Sequence, residues 1–470
     1  MQDVLEGLAD NPALPERLFE RLAQAGDEDI HHLLARRDDL TEVQARSLLA
    51  HDDADVWALV ARGRIAWAEV PRDDPHVLVA AAQAGIAPEA AVRELAAHPD
   101  PEIRGQVAWF VTGLPPDVLT ALARDPDTHV AECAAQSSEL SAEPAEELAR
   151  HPHVAVRAEF AGNAHAPPAL LAALLADGGR PAPSRCGACH RRAERCPDHA
   201  PGVRRIRLAA AANPATPPAG LEEFLDPEEP WAAGEFAERT DLPADFHPRL
   251  ATHPTPYVRR TAARNPRLGE PLLRQLADDP DPEVRRAVAE NPAAPLALLT
   301  ALAGRQKLPR EPLPRILAAT EAELYESAAS RVAQVRALVA ARPDLPAALV
   351  DLLAADPDIG VARRIALHPG LGEDRLTELV ERHGPPVHGA VARNPGCPAA
   401  LLRRMARDAD SGRRTLRVIA AHPALPPDVA EGLLADPDPR VAVTAASHPA
   451  LPVETMERLI EQACAGRPAT

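Results

Sequence analysis

The stretch of sequence that decides the fold covers residues 279–292 and reads Asp279-Pro-Asp-Pro-Glu-Val284-Arg-Arg-Ala-Val-Ala-Glu-Asn291-Pro292. Similar stretches recur along most of the chain, with a dominant spacing of about 26 residues between the positions equivalent to Val284. We call these positions anchors; besides Val284 they are Val4, Ile30, Val56, Val77, Ile103, Val130, Val156, Ile206, Ala232, Val258, Val335, Val361, Val387, Thr415 and Val441. A period in this range indicates a repeat protein in which each unit stacks on its neighbour.

Each repeat carries a polar residue seven positions after its anchor, usually followed by proline. This position holds Asn11, Asn163, Asn213, Asn265, Asn291, Arg342, His368, Asn394, His422 and His448, and it accounts for all six asparagines of the chain. Asparagine tolerates the left-handed backbone conformation that ends many helices, and its side chain can bond nearby backbone. Since the following proline cannot continue a helix, we expect a helix to end at each of these residues.

A second polar position lies five residues before the anchor, again followed by proline. It holds His98, Asp125, His151, His253, Asp279, Asp356 and Asp436. Between the two polar positions lies a stretch that begins with proline and carries leucines at helical spacing, as in residues 345–353. Each repeat is therefore predicted to contain one amphipathic α-helix and one helix of about two turns around the anchor, either α-helical or partly 3₁₀.

A single unit of this kind cannot bury its own apolar face, so neighbouring units must stack. The sequence predicts an all-α solenoid of about 17 repeats. We expect N-terminal repeats over residues 1–177, a cysteine-rich insert over 178–205 and C-terminal repeats over 206–448, with a degenerate repeat at 304–334. Residues 449–470 are more polar and are predicted to form a cap.

The composition excludes several classes of function. The 470 residues include 51 Lys+Arg against 69 Asp+Glu, and the formal net charge is −18. The chain therefore lacks the cationic surface of a general nucleic-acid coat or of a binder of acidic membranes. Aromatic residues make up 3% of the chain, too few for rows of base-stacking platforms. No phosphate-binding loop, zinc-protease, serine-hydrolase or dinucleotide-binding motif is present, so we predict a protein that is not an enzyme.

The N-terminal residues are acidic and are followed by no apolar run, so we expect no signal peptide. No stretch is long and apolar enough to be predicted as a membrane span. Six cysteines are too few for a disulfide framework in a chain of this length. These features predict a cytoplasmic protein with reduced cysteines.

The repeats resemble those of the leucine-rich repeat variant family. Residues 276–292 carry the family pattern most closely, in the form Leu-Ala-x-Asp-Pro-Asp-Pro-x-Val-Arg-x-Ala-Val-Ala-x-Asn-Pro, and the resemblance extends more loosely over residues 1–450. It implies a right-handed superhelix of alternating α- and 3₁₀-helices. Some members of the family also carry a small N-terminal cysteine module that holds a [4Fe–4S] cluster, whereas the cysteines of this chain are internal.

Three of the six cysteines crowd into residues 186–196, where the step between anchors is 50 residues and about 24 residues are inserted. An insert this short has no core of its own, and a bound metal is one way to order it. The predicted ligands are Cys186, Cys189, Cys196 and His199. Thiolates with an imidazole suit structural Zn²⁺, and three thiolates with a fourth ligand suit an iron–sulfur cluster. The spacing favours zinc, whereas the family resemblance implies [4Fe–4S].

The fourth ligand is open among His199, His190 and Cys133. Cys133 occupies the slot of Ala287, a small buried position, and a free cysteine behaves there as a small apolar residue. Cys397 and Cys464 are far away along the sequence and are predicted to be structural.

The insert is locally basic, since residues 178–207 contain eight arginines against two acidic residues. A contact with nucleic acid through Arg191 and Arg192 is one interpretation, and a solvated loop balanced by neighbouring carboxylates is the favoured one. Arginines also follow several anchors, at Arg104, Arg157, Arg259, Arg285 and Arg336. We expect recurring aspartates to neutralise this ladder, namely Asp100, Asp127, Asp281, Asp358 and Asp438.

Repeated histidines stand where other repeats place Asp or Asn. They are His98, His151, His253, His368, His422 and His448, and we predict that they cap helix ends instead of binding a metal.

Stacked repeats create a long surface that usually binds another macromolecule, most often a protein. The first functional prediction is therefore a protein-interaction scaffold with one metal or cluster module. The alternatives are a solenoid that contacts nucleic acid through the basic insert, and an enzyme of redox or radical chemistry that uses a cluster.

Overall fold

The computed structural model describes residues 2–25, 28–51, 55–177, 199–225, 230–309 and 311–465. Over these ranges every regular element is a helix, which confirms the predicted all-α class. The first α-helices are α1 Gln2–Ala9, α2 Glu16–Ala25, α3 Glu28–Ala35, α4 Glu42–Leu49, α5 Val56–Ala61, α6 Pro75–Gln83, α7 Glu89–Ala96, α8 Pro101–Phe110, α9 Pro116–Ala123, α10 Thr128–Ala135, α11 Ala142–Ala149, α12 Val154–Gly162, α13 Pro168–Asp177, α14 His199–Ala212, α15 Pro230–Phe236 and α16 Phe246–Ala251.

The remaining α-helices are α17 Pro256–Arg264, α18 Glu270–Ala277, α19 Pro282–Glu290, α20 Leu296–Ala303, α21 Pro314–Leu317, α22 Glu321–Ala328, α23 Ala333–Ala340, α24 Ala347–Ala354, α25 Ile359–Ile365, α26 Glu373–His383, α27 Pro385–Val391, α28 Ala399–Arg407, α29 Arg413–Ala420, α30 Pro427–Leu433, α31 Pro439–Ala446 and α32 Val453–Ala465. Within the described ranges, none of these helices is long and apolar enough to cross a membrane.

The short helix around each anchor is α-helical, as α19 illustrates. Asp281 caps its N-terminus by accepting a hydrogen bond from the Glu283 N–H at 2.7 Å, and Pro282 occupies the first turn, where its fixed φ suits a helix. The 3₁₀ helices of the described segments lie elsewhere, at Trp67–Glu69 and Leu221–Leu225. The capped and proline-initiated first turn explains why the α-helical alternative is adopted around the anchors.

The chain divides into two compact units. Unit 1 comprises residues 1–59 and 299–470, and unit 2 comprises residues 60–298. This division follows the packing of the helices, so the boundaries predicted at residues 177, 205 and 448 stay predictions.

Within each unit, the anchor helices stack on one another. In unit 2, α8 packs on α10, α10 on α12, and α17 on α19; in unit 1, α23 packs on α25 and α29 on α31. Most anchors at this contact, such as Val258 and Val284, are fully buried, and small residues such as Ala262 and Ala287 beside them are also fully buried. Small side chains let neighbouring helices approach closely, which explains the alanine-rich pattern after each anchor.

The asparagine seven positions after the anchor forms hydrogen bonds with the backbone of the preceding repeat. In Asn291, Nδ2 donates to the carbonyl oxygens of Ala263 at 2.7 Å and Asn265 at 2.8 Å, and Oδ1 accepts from the N–H of Ala293 at 2.8 Å. The same three bonds are formed by Asn11, Asn163, Asn213, Asn265 and Asn394. We call this series the asparagine ladder. Each side chain is buried, and both of its Nδ2 hydrogens and its oxygen are used.

These asparagines end their helices, as predicted, without using the left-handed conformation that asparagine tolerates. The φ angles of Asn163, Asn265 and Asn291 are −70°, −63° and −73°, and their ψ angles are extended. The side chain, by accepting a hydrogen bond from the N–H two residues later, forms the turn instead. Asparagine is thus selected for its three hydrogen bonds and not for its backbone freedom.

Arginine and histidine occupy the same ladder position in other repeats. Arg37 donates from one guanidinium nitrogen to the carbonyl oxygens of Ala9 and Asn11. In His422, Nε2 bonds the carbonyl oxygen of Asn394 at 2.8 Å, and Nδ1 accepts from the N–H of Ala424 at 3.0 Å. Asparagine, arginine and histidine at the ladder position therefore all form hydrogen bonds with backbone carbonyls of the preceding repeat.

Unit 1 joins the first described repeat to the last one. Asn11 donates to the carbonyl oxygens of Ala446 and His448, each at 2.8 Å, so the ladder continues from one end of the sequence to the other. Helix α1 packs on α31, and α2 packs on α32. Arg17 adds an ion pair with Glu457 at 2.8 Å on the surface of this contact. The first repeat thus stacks on the last as an interior repeat stacks on its neighbour.

Replacing Asn291 by alanine leaves two buried carbonyls and one N–H without partners. We expect the free energy of unfolding to fall by roughly 2–4 kcal/mol, because a buried polar group without a partner is costly. Asn291→His should recover part of this loss, since histidine fills the ladder position at His422. Urea denaturation of the full chain would measure both variants. Equal loss in the two variants would contradict a hydrogen-bonding role.

A substitution at Gly7 tests the contact between the first and last repeats. A Cβ at Gly7 would lie 2.9 Å from the Cβ of Ala446 and closer still to the carbonyl oxygen of Val443. Gly7→Ala should therefore force α1 away from α31 and lower stability by about 1–3 kcal/mol. The control is Gly432→Ala in α30, where a Cβ meets no atom within 4 Å. Amide exchange in α31 should rise in the first variant and stay unchanged in the control.

Candidate functional site

The predicted metal ligands lie at the insert between α13 and α14. Cys186, His190, Cys189 and Cys196 fall outside the described residues, and His199 is the first residue of α14. Helix α13 ends at Asp177, α14 begins at His199, and the two helices pack against each other. Over the part of the chain that the structure describes, no group of three or more His, Cys, Asp or Glu side chains is placed to hold a metal ion.

The stack of repeats continues past the insert without interruption. Asn213 donates to the carbonyl oxygens of Ala161 and Asn163, residues that precede it by 52 and 50 positions. Asn265 makes the same bonds over 28 and 26 positions, so 24 extra residues are accommodated before Asn213. Helix α14 also packs on α12 as one anchor helix packs on the next. The insert is therefore an addition to a stack that is complete without it.

The described arginines after the insert are held by neighbouring groups. Arg205 pairs with Glu159 of α12 at 2.8 Å. Arg207 pairs with Glu223, donates to the carbonyl oxygen of Leu175 at 2.7 Å and lies over the ring of Phe224. These contacts support the interpretation in which local carboxylates balance the basic residues. The arginines at positions 180–195, including Arg191 and Arg192, lie outside the described ranges.

The two cysteines whose side chains the structure describes, Cys133 and Cys397, are buried thiols. Cys133 lies in α10, with Sγ 3.8 Å from Nε2 of His129, and both burial and the nearby Glu132 raise the pKa of its thiol. Burial raises the pKa of Cys397 to about 12. Both thiols are therefore protonated at neutral pH, and they pack as small apolar side chains. Whether Cys133 serves as the fourth ligand stays open, because the other candidate cysteines are outside the described residues.

The repeated histidines cap helix ends, as predicted. In all six, Nδ1 accepts a hydrogen bond from the backbone N–H two residues later, at 3.0–3.2 Å. They are His98, His151, His253, His368, His422 and His448. Asp125 and Asp279 make the same bond with a carboxylate oxygen in their repeats.

Three arginines of the ladder pair with carboxylates, although with different aspartates from those predicted. Arg259 forms two hydrogen bonds with the carboxylate of Asp279, at 2.7 and 3.0 Å, and a further pair of bonds with backbone carbonyls. Equivalent ion pairs join Arg104 to Asp125 and Arg336 to Asp356. The predicted partners instead cap helix N-termini; they are Asp100, Asp127, Asp281, Asp358 and Asp438. Neutralised arginines of this kind offer no track for phosphates.

An apolar groove lies in unit 2, across α8, α10 and α12. Its rim carries Trp109 and Phe110, which are 52% and 44% exposed. Its floor contains Gly105, and its far side carries Glu132 and Cys133. We call this site the aromatic groove; its volume is about 390 Å³. Two half-exposed aromatic residues that line one groove are unusual on a chain with 3% aromatic residues, and exposed apolar patches often mark binding sites.

The aromatic groove exists because one repeat departs from the pattern of the others. Trp109 occupies the slot that Glu290 fills in the template repeat, and Phe110 occupies the slot of the ladder residue Asn291. Gly105 replaces the larger Arg286, which deepens the groove between α8 and α10. The sequence prediction missed this site. An alignment of the repeats carries the signal, because Phe110 stands where most repeats place a polar residue.

One family model matches the chain. Residues 256–281, which contain α17 and α18, match the model described as leucine rich repeat variant. A solved structure described as a leucine-rich repeat variant with a novel repetitive protein structural motif is also similar. Its sequence is 21% identical, the match covers 58% of this chain and 87% of that chain, and the TM-score is 0.32. No curated protein matches the chain.

The three buried Arg–Asp pairs predict a loss of stability in acid. Burial acts to raise the pKa of Asp279, but hydrogen bonds from Arg259 and a backbone N–H outweigh it, so the pKa lies below its ordinary value of 3.8. The same balance lowers the pKa of Asp125 and Asp356. This stabilisation is complete above pH values of about 4 and is lost as the pH falls through the lowered pKa.

Asp279→Asn should lower the free energy of unfolding at neutral pH by roughly 2–4 kcal/mol, since Arg259 then lacks its charge partner. The difference from the unsubstituted protein should shrink as the pH falls below about 4. Asp117→Asn is the matched control, because Asp117 pairs with Arg93 on the open surface and is 68% exposed. Urea denaturation at a series of pH values would measure these changes. A constant difference at every pH would contradict the ionic explanation.

Proposed function

We propose that the chain is a non-enzymatic scaffold of the leucine-rich repeat variant type that binds another protein and carries a metal module in its insert. Long stacks of repeats expose an extended surface of many similar elements, and such surfaces commonly bind proteins. The buried, protonated thiols of Cys133 and Cys397 fit a reducing, cytoplasmic location.

The proposed ligands of the module are Cys186, Cys189, Cys196 and His199. A donor set of three thiolates and one imidazole suits a [4Fe–4S] cluster or Zn²⁺, and we favour the cluster. When bound, a cluster supplies one-electron redox chemistry, whereas zinc supplies a structural crosslink. The protein's own contribution is to hold both ends of the insert on α13 and α14, two packed helices of unit 2.

The observation that carries this proposal is the uninterrupted asparagine ladder on either side of the insert. Asn213 reaches Ala161 and Asn163 across the additional 24 residues as directly as its equivalents do elsewhere. The insert is not needed to complete the stack, so a separate role accounts for its concentration of cysteines. Loss of the metal should therefore leave the repeats folded.

The metal content of protein purified without oxygen tests the module. We expect iron and sulfide with broad visible absorption in the unsubstituted protein, and loss of both in Cys186→Ala. Cys397→Ala is the control, because Cys397 is a buried thiol of unit 1 and should leave the metal content unchanged. The far-ultraviolet circular dichroism of Cys186→Ala should match that of the unsubstituted protein.

The possible results separate the forms of the module. One equivalent of zinc without visible colour would show that the module is a structural zinc site and not an iron–sulfur cluster. Absence of any metal from the unsubstituted protein would overturn the module altogether. Unfolding of the repeats in Cys186→Ala would contradict the view that the insert is an addition to a complete stack.

A further inference from the structure

We propose that the aromatic groove of unit 2 binds a peptide segment that presents an arginine or lysine beside an apolar side chain. This inference rests on the proposed scaffold function, since it names the place where a protein partner docks and the chemistry of the partner. It concerns described residues of α8, α10 and α12, and it does not depend on the metal module.

The groove supplies a binding site for an apolar side chain. Trp109 and Phe110 lie at the C-terminal end of α8 and leave about half of each ring exposed. At the floor, the Cβ that Gly105 lacks would lie 3.3 Å from Cδ2 of His129 and 3.8 Å from Sγ of Cys133. The absence of a side chain at Gly105 therefore lets the ring of His129 in α10 lie close against α8 beneath the groove. Covering two aromatic rings with an apolar group removes a large apolar area from water.

The charges around the groove select a cationic partner. Glu159 is already neutralised, because Arg205 bonds one of its oxygens and Gln136 the other, at 2.8 and 3.1 Å. Glu132 lies on the same side of the groove, and among the residues that the structure describes no basic side chain pairs with it. Within the described ranges, Glu132 is thus a carboxylate of the groove with which no basic side chain pairs, and it lines the same groove as Trp109 and Phe110.

A guanidinium or ammonium group suits this arrangement in two ways. It can pair with the carboxylate of Glu132, and it can lie over the face of Trp109, where the ring attracts a cation. Helix α8 ends beside the rings, and the C-terminal end of a helix also favours positive charge. The net charge of −18 adds long-range attraction for a basic segment and repels nucleic acid as well as a second copy of the chain.

Fluorescence anisotropy with labelled synthetic peptides tests the proposal on the full chain. The probe is a peptide of about 12 residues that alternates arginine and leucine. One comparison peptide replaces each arginine by glutamate, and another replaces each leucine by serine. We expect the first peptide to bind with a Kd of about 1–100 μM and the other two to bind at least about ten-fold more weakly.

Substitutions then locate the binding. Trp109→Ala should weaken binding of the arginine–leucine peptide about ten-fold or more. Glu132→Gln should weaken it about three- to ten-fold and reduce its dependence on salt concentration. The matched controls are Trp57→Ala, a tryptophan of unit 1 that is 51% exposed, and Glu283→Gln, an exposed glutamate of α19. Both controls should bind as the unsubstituted protein does. All the substituted side chains are partly or fully exposed, and thermal unfolding would verify that each variant is folded.

Several results would overturn the proposal. These are the absence of peptide binding up to about 1 mM, equal binding of the glutamate–leucine peptide, or unchanged binding in Trp109→Ala. Self-association that is lost in Trp109→Ala would identify a second copy as the occupant instead, and binding of single-stranded nucleic acid that is lost in this variant would identify nucleic acid. The metal content of Trp109→Ala should equal that of the unsubstituted protein. A negative result for peptide binding at the groove can therefore be distinguished from a negative result for metal binding by the module.

Discussion

The structure depends on the hydrogen bonds that each ladder residue donates to backbone carbonyls of the preceding repeat. A short helix leaves several carbonyls at its C-terminal end without partners, and a stack of short helices would bury many of them. Asn291 satisfies two such carbonyls and also forms its own turn. Alanines and valines make the apolar contacts between repeats, and they are interchangeable there. The ladder residue, in contrast, fixes which backbone carbonyls accept hydrogen bonds from its side chain. It therefore sets the register of the stack.

The sequence predicted the repeats well because their signals are local. The proline after each ladder residue, the capping Asp281 and the buried Val284 each act within one or two turns, so spacing along the chain reveals them. The roles of histidines such as His253 were also predictable, since a residue that replaces Asp at a helix end inherits its capping bond. The pairing of Arg259 with Asp279 was not, because it joins neighbouring repeats and depends on their relative placement.

The candidate sites differ in how far the sequence reveals them. Cysteine spacing is a strong local signal, so the sequence identifies the insert as a candidate metal module. The identity of the proposed metal depends on a coordination geometry that spacing does not determine. The aromatic groove was missed for the opposite reason. Trp109 and Phe110 are ordinary residues for a helix, and their meaning appears only when their slots are compared with Glu290 and Asn291 of another repeat. In this repeat protein, the exception to the pattern coincides with the proposed binding site.

The contact of α1 with α31 bears on how the protein is made. During synthesis, residues 2–25 emerge long before residues 439–465, whose helices α31 and α32 pack on α1 and α2. Leu8, Leu18 and Leu22 are fully buried in the finished protein, and the contacts of α1 and α2 with α31 and α32 form only after residues 439–465 have been translated. Unit 2 is complete once residue 298 has emerged. The contacts that complete unit 2 can therefore form during translation before those that complete unit 1.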